Sequence, residues 1–399
     1  MDLLLIADAF PPMRTSAAIH MHELAVELHQ QGHQVSVLIP VNGIQKGVSV
    51  KRTHEYQLIE VGTLKTKGTG YIRRVLAEFI NPFLIFSRVK STNTLPMHLN
   101  GVIWYSPSIF FGPLVKRLVK KFQCPSYLIL RDIFPRWALD LGLMKKGINY
   151  FILRCVEYYQ YTVADIIGIQ SPGNAPFFST LPISIQSKVE VLWTWISSGS
   201  VSPCSIDISQ GILSGRKILV YAGNMGVAQN LQSILDLAFF FKNRSDVGFL
   251  FAGRGDNLEH LKSQAFSADL KNVLFYPEID PSQIPTLYSQ CSAGIVSLDS
   301  RHKTQNIPGK FLSYMKFGLP VLAKVNPGND LIELISQNRV GVTVTNDEAL
   351  ELRDAAEKIL NMLDVDQHIH NRCKDLAQYQ FSTERAAKQI VAALSSKKA

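Results

Sequence analysis

The feature that most limits how this chain can fold is a pattern written twice: an apolar strand, a short turn rich in small residues or proline, then a helix. The first copy runs from Leu3 to Ala7, through Phe10-Pro11-Pro12-Met13-Arg14-Thr15-Ser16-Ala17-Ala18, into Ile19–Gln31 with Leu24, Ala25 and Leu28 at helical spacing. Gly32 closes the helix and Gln34–Ile39 is the next strand. A strand apolar on both faces belongs in a parallel sheet covered on both sides. Strand, loop, helix and strand at this spacing form a βαβ unit, whose first loop lies at the carboxyl edge where open α/β sheets bind ligands. The second copy is Lys217-Ile218-Leu219-Val220-Tyr221-Ala222 followed by Gly223-Asn224-Met225-Gly226-Val227-Ala228-Gln229. Its turn has phosphate-cradle character but lacks GxGxxG spacing, so it is not a dinucleotide fingerprint.

Between the copies, Ser197 to Gly215 turns to Ser, Gly, Pro and Asp with little periodicity. The expected organisation is α/β, with a Rossmann-like domain over 1–197, a linker over 198–215 and a second Rossmann-like domain over 216–378. A last helix over 379–399 is expected to pack back toward the first domain. With 399 residues, 46% hydrophobic and 18% charged, the chain is long enough for two cores. Residues 41–70, rich in Gly, Lys and Thr, read as a strand-poor excursion.

The net charge of +9 is concentrated. From Leu64 to Lys121 the basic residues are Lys65, Lys67, Arg73, Arg74, Arg88, Lys90, Lys116, Arg117, Lys120 and Lys121, opposed only by Glu78. An anionic partner follows: a phosphorylated substrate, an acidic membrane surface or nucleic acid. Within this stretch Tyr71–Lys90 is apolar-aromatic with basic ends and is broken or kinked at Pro82. It reads equally as an interfacial membrane segment or as a core-packing helix pair with basic solvent ends. The five cysteines are odd in number and scattered, without CxxC spacing, which points to free thiols in a reducing, cytoplasmic compartment. No apolar run approaches the roughly 18 residues of a membrane span. Asp364-Val365-Asp366 reads as a solvated helix end, and His368 and His370 have no metal-site spacing, so no metal and no cofactor are expected.

Two stretches carry chemistry. Ile307-Pro308-Gly309-Lys310-Phe311-Leu312-Ser313-Tyr314-Met315-Lys316 reads as a loop entering a helix at about Lys310, closed by Gly318, with a strand opening at Val321. A lysine beside the unpaired N–H groups of a helix start favours a diphosphate; the plainer alternative is a solvated first-turn residue. In Tyr127-Leu128-Ile129-Leu130-Arg131-Asp132 two opposite charges leave a buried strand at its ligand edge. That is a site candidate, or else an ion pair that caps the edge.

Pro308-Gly309-Lys310, Ser313-Tyr314-Met315 and Gly318-Leu319-Pro320-Val321 together resemble the PxK…EYMAxGxPV signature of family-4 retaining glycosyltransferases. The continuation Asn326-Pro327-Gly328-Asn329-Asp330 is similar to the L-fucosamine (FucNAc) transferase branch that builds O-antigen and capsule repeats. Gly223–Gln229 resembles that branch's YAGNxGxAQ element, Gly253-Arg254-Gly255 its GxG turn, and Arg131–Pro135 its RDLWP element. The resemblance implies a GT-B fold, two Rossmann-like domains facing a central cleft. It implies retaining, metal-independent transfer from a nucleotide-sugar, a UDP-sugar by preference, to a lipid-linked glycan at the cytoplasmic face of the inner membrane, with no nucleic acid involved.

By the same resemblance Lys310 and Asp132 carry catalysis, Asp132 beside the acceptor or the transferred sugar. Thr15, Ser16, Gly223, Asn224, Gly226, Gln229, Gly253, Glu278, Ile279, Gln305, Pro308, Gly309 and Ser313 bind the donor. The chain departs from the family at Thr15-Ser16, where glycines are usual, at Asn224 and Gln229, which replace an Arg and a Lys, and at Gln305 and Ser313, which replace two glutamates. A nucleotide-sugar 2-epimerase on the same fold and a basic nucleic-acid-binding protein are the alternatives.

Overall fold

A computed structural model describes residues 1–13, 15–42, 47–66, 68–106, 108–140, 142–196, 201–299 and 307–398. The chain divides into two compact units, one of Met1–Ser197 with Thr383–Ala399 and the other of Ser198–Ser382.

Among the described residues the first unit is built on a sheet of β1 (Asp2–Ile6), β2 (Gln34–Asn42), β3 (Val48–Arg52), β4 (Gln57–Thr63), β5 (Gly101–Ser106), β6 (Ser126–Leu130), β7 (Ile166–Ile169) and β8 (Val189–Val191). Its order is β3-β4-β2-β1-β5-β6-β7-β8, with every pair parallel except β3 on β4. Side chains alternate across a strand, so β1 sends Leu4 and Ile6 to one core, with Trp104, Leu118 and Leu128, and Leu3 and Leu5 to the other, with Leu24, Leu28 and Ile103. The Thr383–Lys398 helix supplies Ala387, Ile390 and Leu394 to the second of these cores. Its Gln389 amide donates to Glu190 and to the Val191 carbonyl at 2.8 and 2.9 Å.

The second unit has β9 (Lys217–Ala222), β10 (Val247–Ala252), β11 (Val273–Tyr276), β12 (Ala293–Ser297), β13 (Val321–Lys324) and β14 (Gly341–Val344). The order is β11-β10-β9-β12-β13-β14, all parallel. In each unit the strand order reverses beside the first strand, between β1 and β5 and between β9 and β12. Such a switch point leaves a crevice outside the carboxyl ends, where this class of sheet binds ligands. Residues of the low-periodicity segment are fastened to this unit: Ile206, Ile208 and Leu213 are buried, and the Ser202 N–H donates to the Ser282 carbonyl at 2.8 Å.

Three expectations are corrected. Residues 41–70 hold β3 and β4, because the apolar, mostly β-branched Val48, Val50, Leu58, Ile59 and Val61 outweigh the loop-like composition around them. The stretch around Pro82 is one helix, Tyr71–Ser91. The missing proline N–H costs a helix bond, but the neighbouring Asn81 amide is buried and clasps the Leu64 backbone in both directions at 2.9 and 3.2 Å. A helix over Ile369–Phe381 was not picked out from the sequence. After Gly226 the chain makes a single 3-10 turn, Val227–Gln229, and the α-helix starts only at Gln232, so no helix N-terminus opens directly on that glycine turn.

Candidate functional site

In the second unit, β9 ends at Ala222 and the chain turns through Gly223, which has φ +135°. The Gly223 N–H donates to Ala252 at the end of β10, 2.8 Å away. Gly253, with φ +153°, passes so near that a Cβ there would lie 2.0 Å from the Gly223 carbonyl oxygen. Glycine at both positions is therefore a matter of space as well as of backbone angle. Asn224 donates its amide to the Gln229 side-chain oxygen at 3.0 Å, and the Gly226 N–H donates to that same oxygen at 3.0 Å. Gln229 thus holds the turn closed, and its backbone carbonyl accepts from Ser297 at 2.6 Å.

Lys310 approaches this turn from the Gly309–Lys316 helix. That helix is anchored by Tyr314, which lies against the bare backbone of Gly294 and donates to the Val220 and Ile295 carbonyls at 3.1 and 3.3 Å. Pro308 precedes the helix in extended geometry and supplies no side-chain cap, so the first-turn N–H groups have no side-chain acceptor at that position. The Lys310 ammonium sits 4.8 Å from the centre of the Tyr221 ring. A Cβ placed on Gly223 would lie 2.8 Å from its Cε and 3.0 Å from its Nζ. Burial pushes this amine down to about 8, because water is the best partner for an ammonium and little of it remains. Lys310 is therefore a desolvated cation at a strand end, and not a solvated first-turn residue.

The remaining candidates of this unit divide. Glu278 is exposed and pairs with Arg254 at 3.2 Å beside the Gly253 turn, and Ile279 is half-buried. Ser313 lies one turn along from Lys310 and its hydroxyl bonds to the buried Tyr288 phenol, which directs it into the unit. Gln305 lies outside the described residues, as do Arg14, Arg301, His302 and Lys303. Tyr221, the ring beneath Lys310, was not picked out from the sequence; nothing in a buried strand residue announces a platform for a cation.

In the first unit the carboxyl ends of β1, β2 and β6 surround a cavity of about 670 Å³. Asp132 lines it, together with Asp8 at the end of β1 and Glu78 from the Tyr71–Ser91 helix. The walls are apolar and aromatic, with Phe10, Phe110, Phe134 and Trp137. Burial pushes the Glu78 carboxyl up, with Arg74 opposing and Asp8 reinforcing the shift. Arg131 donates to the Tyr105 hydroxyl at 3.0 Å and to Ser16 at 3.2 Å, and its Nε lies 3.9 Å from Asp132. The Thr15 hydroxyl accepts from the Ala18 N–H at 3.3 Å and caps the Ser16–Gln30 helix, the role such residues favour. Thr15 and Ser16 thus fasten the first loop, one to its helix and one to Arg131. Burial, assisted by Arg131, pushes His20 down to about 4, so it is neutral at physiological pH.

Asp8 and Glu78 were missed from the sequence, though each left a signal. Asp8 leaves a buried strand as Asp132 does, and Glu78 is the lone acid in the basic stretch. The DxD segment is a surface feature: Asp364 pairs with Lys217 and Asp366 with Arg372. His370 bonds the Gly318 carbonyl at 2.8 Å. Among the described residues no group of three His, Cys, Asp or Glu side chains is placed to hold a metal ion.

Residues 205–379 match the model of the glycosyl transferases group 1 family. The chain is 20% identical over 240 residues to the probable glycosyltransferase WbjE of Pseudomonas aeruginosa, covering 59% of this chain and 60% of that one. It spans about half the length of the curated relatives it matches. WaaG, a glycosyltransferase involved in lipopolysaccharide biosynthesis, superposes with a TM-score of 0.61 at 12% identity, over 99% of both chains. Anabaena HepE, solved with UDP and glucose, superposes with a TM-score of 0.64 at 14% identity, over 99% of this chain and 100% of that one. The chain has the GT-B fold, and its residues 205–379 are similar to the glycosyl transferases group 1 family.

Proposed function

We propose that this protein is a retaining, metal-independent glycosyltransferase that moves a sugar from a UDP-sugar to a hydroxyl of a lipid-linked glycan, in O-antigen or capsule assembly at the cytoplasmic face of the inner membrane. By the likeness of residues 326–330 to the fucosamine branch, the proposed cargo is N-acetyl-L-fucosamine or a related amino sugar. The observation that carries the reading is the desolvated Lys310 ammonium between Gly223 and Tyr221. A buried cation is costly until an anion arrives, and the adjoining glycine turn puts bare backbone beside that cation. As the bond from the anomeric carbon to the phosphate oxygen breaks, negative charge grows on the leaving diphosphate. A preplaced ammonium and the first N–H groups of its helix stabilise that charge more than they stabilise the ground state. The acceptor oxygen bonds to the anomeric carbon from the same face and its proton passes to the departing phosphate.

In this reading Asn224, Gly226, Gln229 and Gly253 shape the donor turn, with Glu278, Ile279, Pro308 and Gly309 around it. The first unit's cavity takes the acceptor, with Asp132 oriented by Arg131. Thermal unfolding with UDP, GDP, ADP and their sugars tests the donor half, because a ligand of the native state raises the midpoint. Product analysis with and without a glycan acceptor tests the transfer. The reading is lost if no nucleoside diphosphate moves the midpoint, and it yields to a 2-epimerase if the sugar is converted with no acceptor present.

A further inference from the structure

The first unit carries a surface that neither cavity nor core explains. On the Tyr71–Ser91 helix, Leu76, Phe79, Ile80 and Phe83 are 37–56% exposed. Their spacing of three, four and seven residues makes them one stripe. On the Ile148–Val163 helix, Ile148, Phe151, Ile152 and Tyr158 form a second outward stripe, 40–72% exposed. Between these helices, in contact with both, lies Gly112–Phe122. It buries Leu114, Val115 and Leu118 and turns Lys116, Arg117, Lys120 and Lys121 the other way. Arg117 reaches the first helix, 4.4 Å over the Phe83 ring, and Lys116 the second, 5.6 Å from the Tyr159 ring.

We propose that this three-helix face docks on an anionic lipid bilayer. Two apolar stripes flanking a row of cations complement a surface with acyl chains below and acidic headgroups above. A polyanion alone would need the cations and have no use for eight exposed apolar side chains. The inward face of the first helix supplies Glu78, Asn81 and Ile85 to the cavity wall. Docking through its outward face therefore sets the cavity one helix thickness from the lipid, where a membrane-borne acceptor is presented. This deepens the lipid-linked acceptor reading above, but the docking is measured without any transfer assay.

Flotation of the full chain with vesicles of phosphatidylcholine, alone or mixed with phosphatidylglycerol, tests it. Binding is expected to the mixed vesicles only. The pairs Leu76→Ser with Ile80→Ser and Ile148→Ser with Phe151→Ser each weaken that binding by about tenfold or more. Lys116→Glu with Lys120→Glu abolishes it. These side chains are exposed, so thermal unfolding and the midpoint shift with UDP stay as in the parent. Equal binding to uncharged vesicles overturns the proposal. So does vesicle binding that the serine pairs leave unchanged, which assigns the cations to nucleic acid or another polyanion. Serine pairs that dissociate a dimer, with no vesicle binding in the parent, assign the face to a second copy instead. Vesicle binding without transfer leaves the docking standing and removes the transferase reading.

Discussion

The Lys310 ammonium lies 4.8 Å from the centre of the Tyr221 ring, at the carboxyl end of β9. The ring face offers a cation some return for lost water, of the order of 0.5–2 kcal/mol, while burial pushes the Lys310 amine down to about 8. The site is therefore biased toward any ligand that brings negative charge.

Removing that amine separates function from stability. Lys310→Ala is expected to lower the rate of sugar transfer by roughly two to three orders of magnitude, the usual consequence of losing one preorganised charge contact. The unfolding midpoint of the variant stays level or rises, since a desolvated charge has been removed. Steady-state kinetics and thermal unfolding on one preparation check both halves.

The pH dependence of nucleotide affinity follows from the same group. In the free protein Lys310 is protonated below about 8 and neutral above it. A bound diphosphate favours the protonated form, so affinity for UDP is full below pH 8 and declines as pH rises through it. Calorimetric titrations between pH 6.5 and 9.5 are expected to bend near 8 in the parent and to lack that bend in Lys310→Ala.

Two glycines of the donor turn region respond oppositely. At Gly253, φ is +153° and an alanine Cβ would sit 2.0 Å from the Gly223 carbonyl, so Gly253→Ala forces the strand ends apart. A loss of at least about 2–4 kcal/mol is expected, or failure to accumulate as folded protein. At Gly309 nothing lies within 4 Å of the added carbon, and Gly309→Ala is expected to leave stability equal or slightly higher, since alanine suits a helix better. Chemical denaturation of the two variants makes the comparison.

Asp132 belongs to the other unit, and its replacement discriminates acceptor chemistry from donor binding. Asp132→Asn keeps the shape and removes the charge that Arg131 faces. Transfer is expected to fall about 100-fold or more, while the midpoint shift with UDP is unchanged. A loss of UDP binding equal to the loss of transfer contradicts the assignment.

Glu157 offers a pH test away from either site. It is fully buried, contacts Arg154 and accepts from the Tyr161 hydroxyl at 2.7 Å. Burial raises its carboxyl from the ordinary 4.5 to about 7, with Arg154 and Tyr161 opposing. The native state then holds a proton that the unfolded state has released between those two values, so stability falls as pH rises through that window. Glu157→Gln removes the slope. Its unfolding free energy relative to the parent is expected to improve between pH 5 and pH 8, by on the order of 1–3 kcal/mol, as read by chemical denaturation at the two pH values.

Much of this was legible in advance because it is local. Apolar strands such as Asp2–Ile6 and Lys217–Ala222, the stop at Gly318 and the helix holding Lys310 are set by residue order over short spans. The departures arose where packing overrode a local cue. Pro82 continues a helix because Asn81 grips Leu64, and β4 forms because β2 is beside it to pair with.

The order of residues alone determined two largely parallel α/β sheets, where their carboxyl edges fall, and that Arg131 and Asp132 stand at one of them. It determined the concentration of positive charge between Leu64 and Lys121 as well. Tertiary structure decided what each group faces: Lys310 over Tyr221, Ser313 turned to Tyr288, Ser16 tied to Arg131, and Asp8, Glu78 and Asp132 around one cavity. The physical reason is range. Strand and helix patterns depend on neighbours a few residues apart, whereas desolvation and charge pairing depend on chain segments distant in sequence, 115 residues apart in the bond between Arg131 and Ser16.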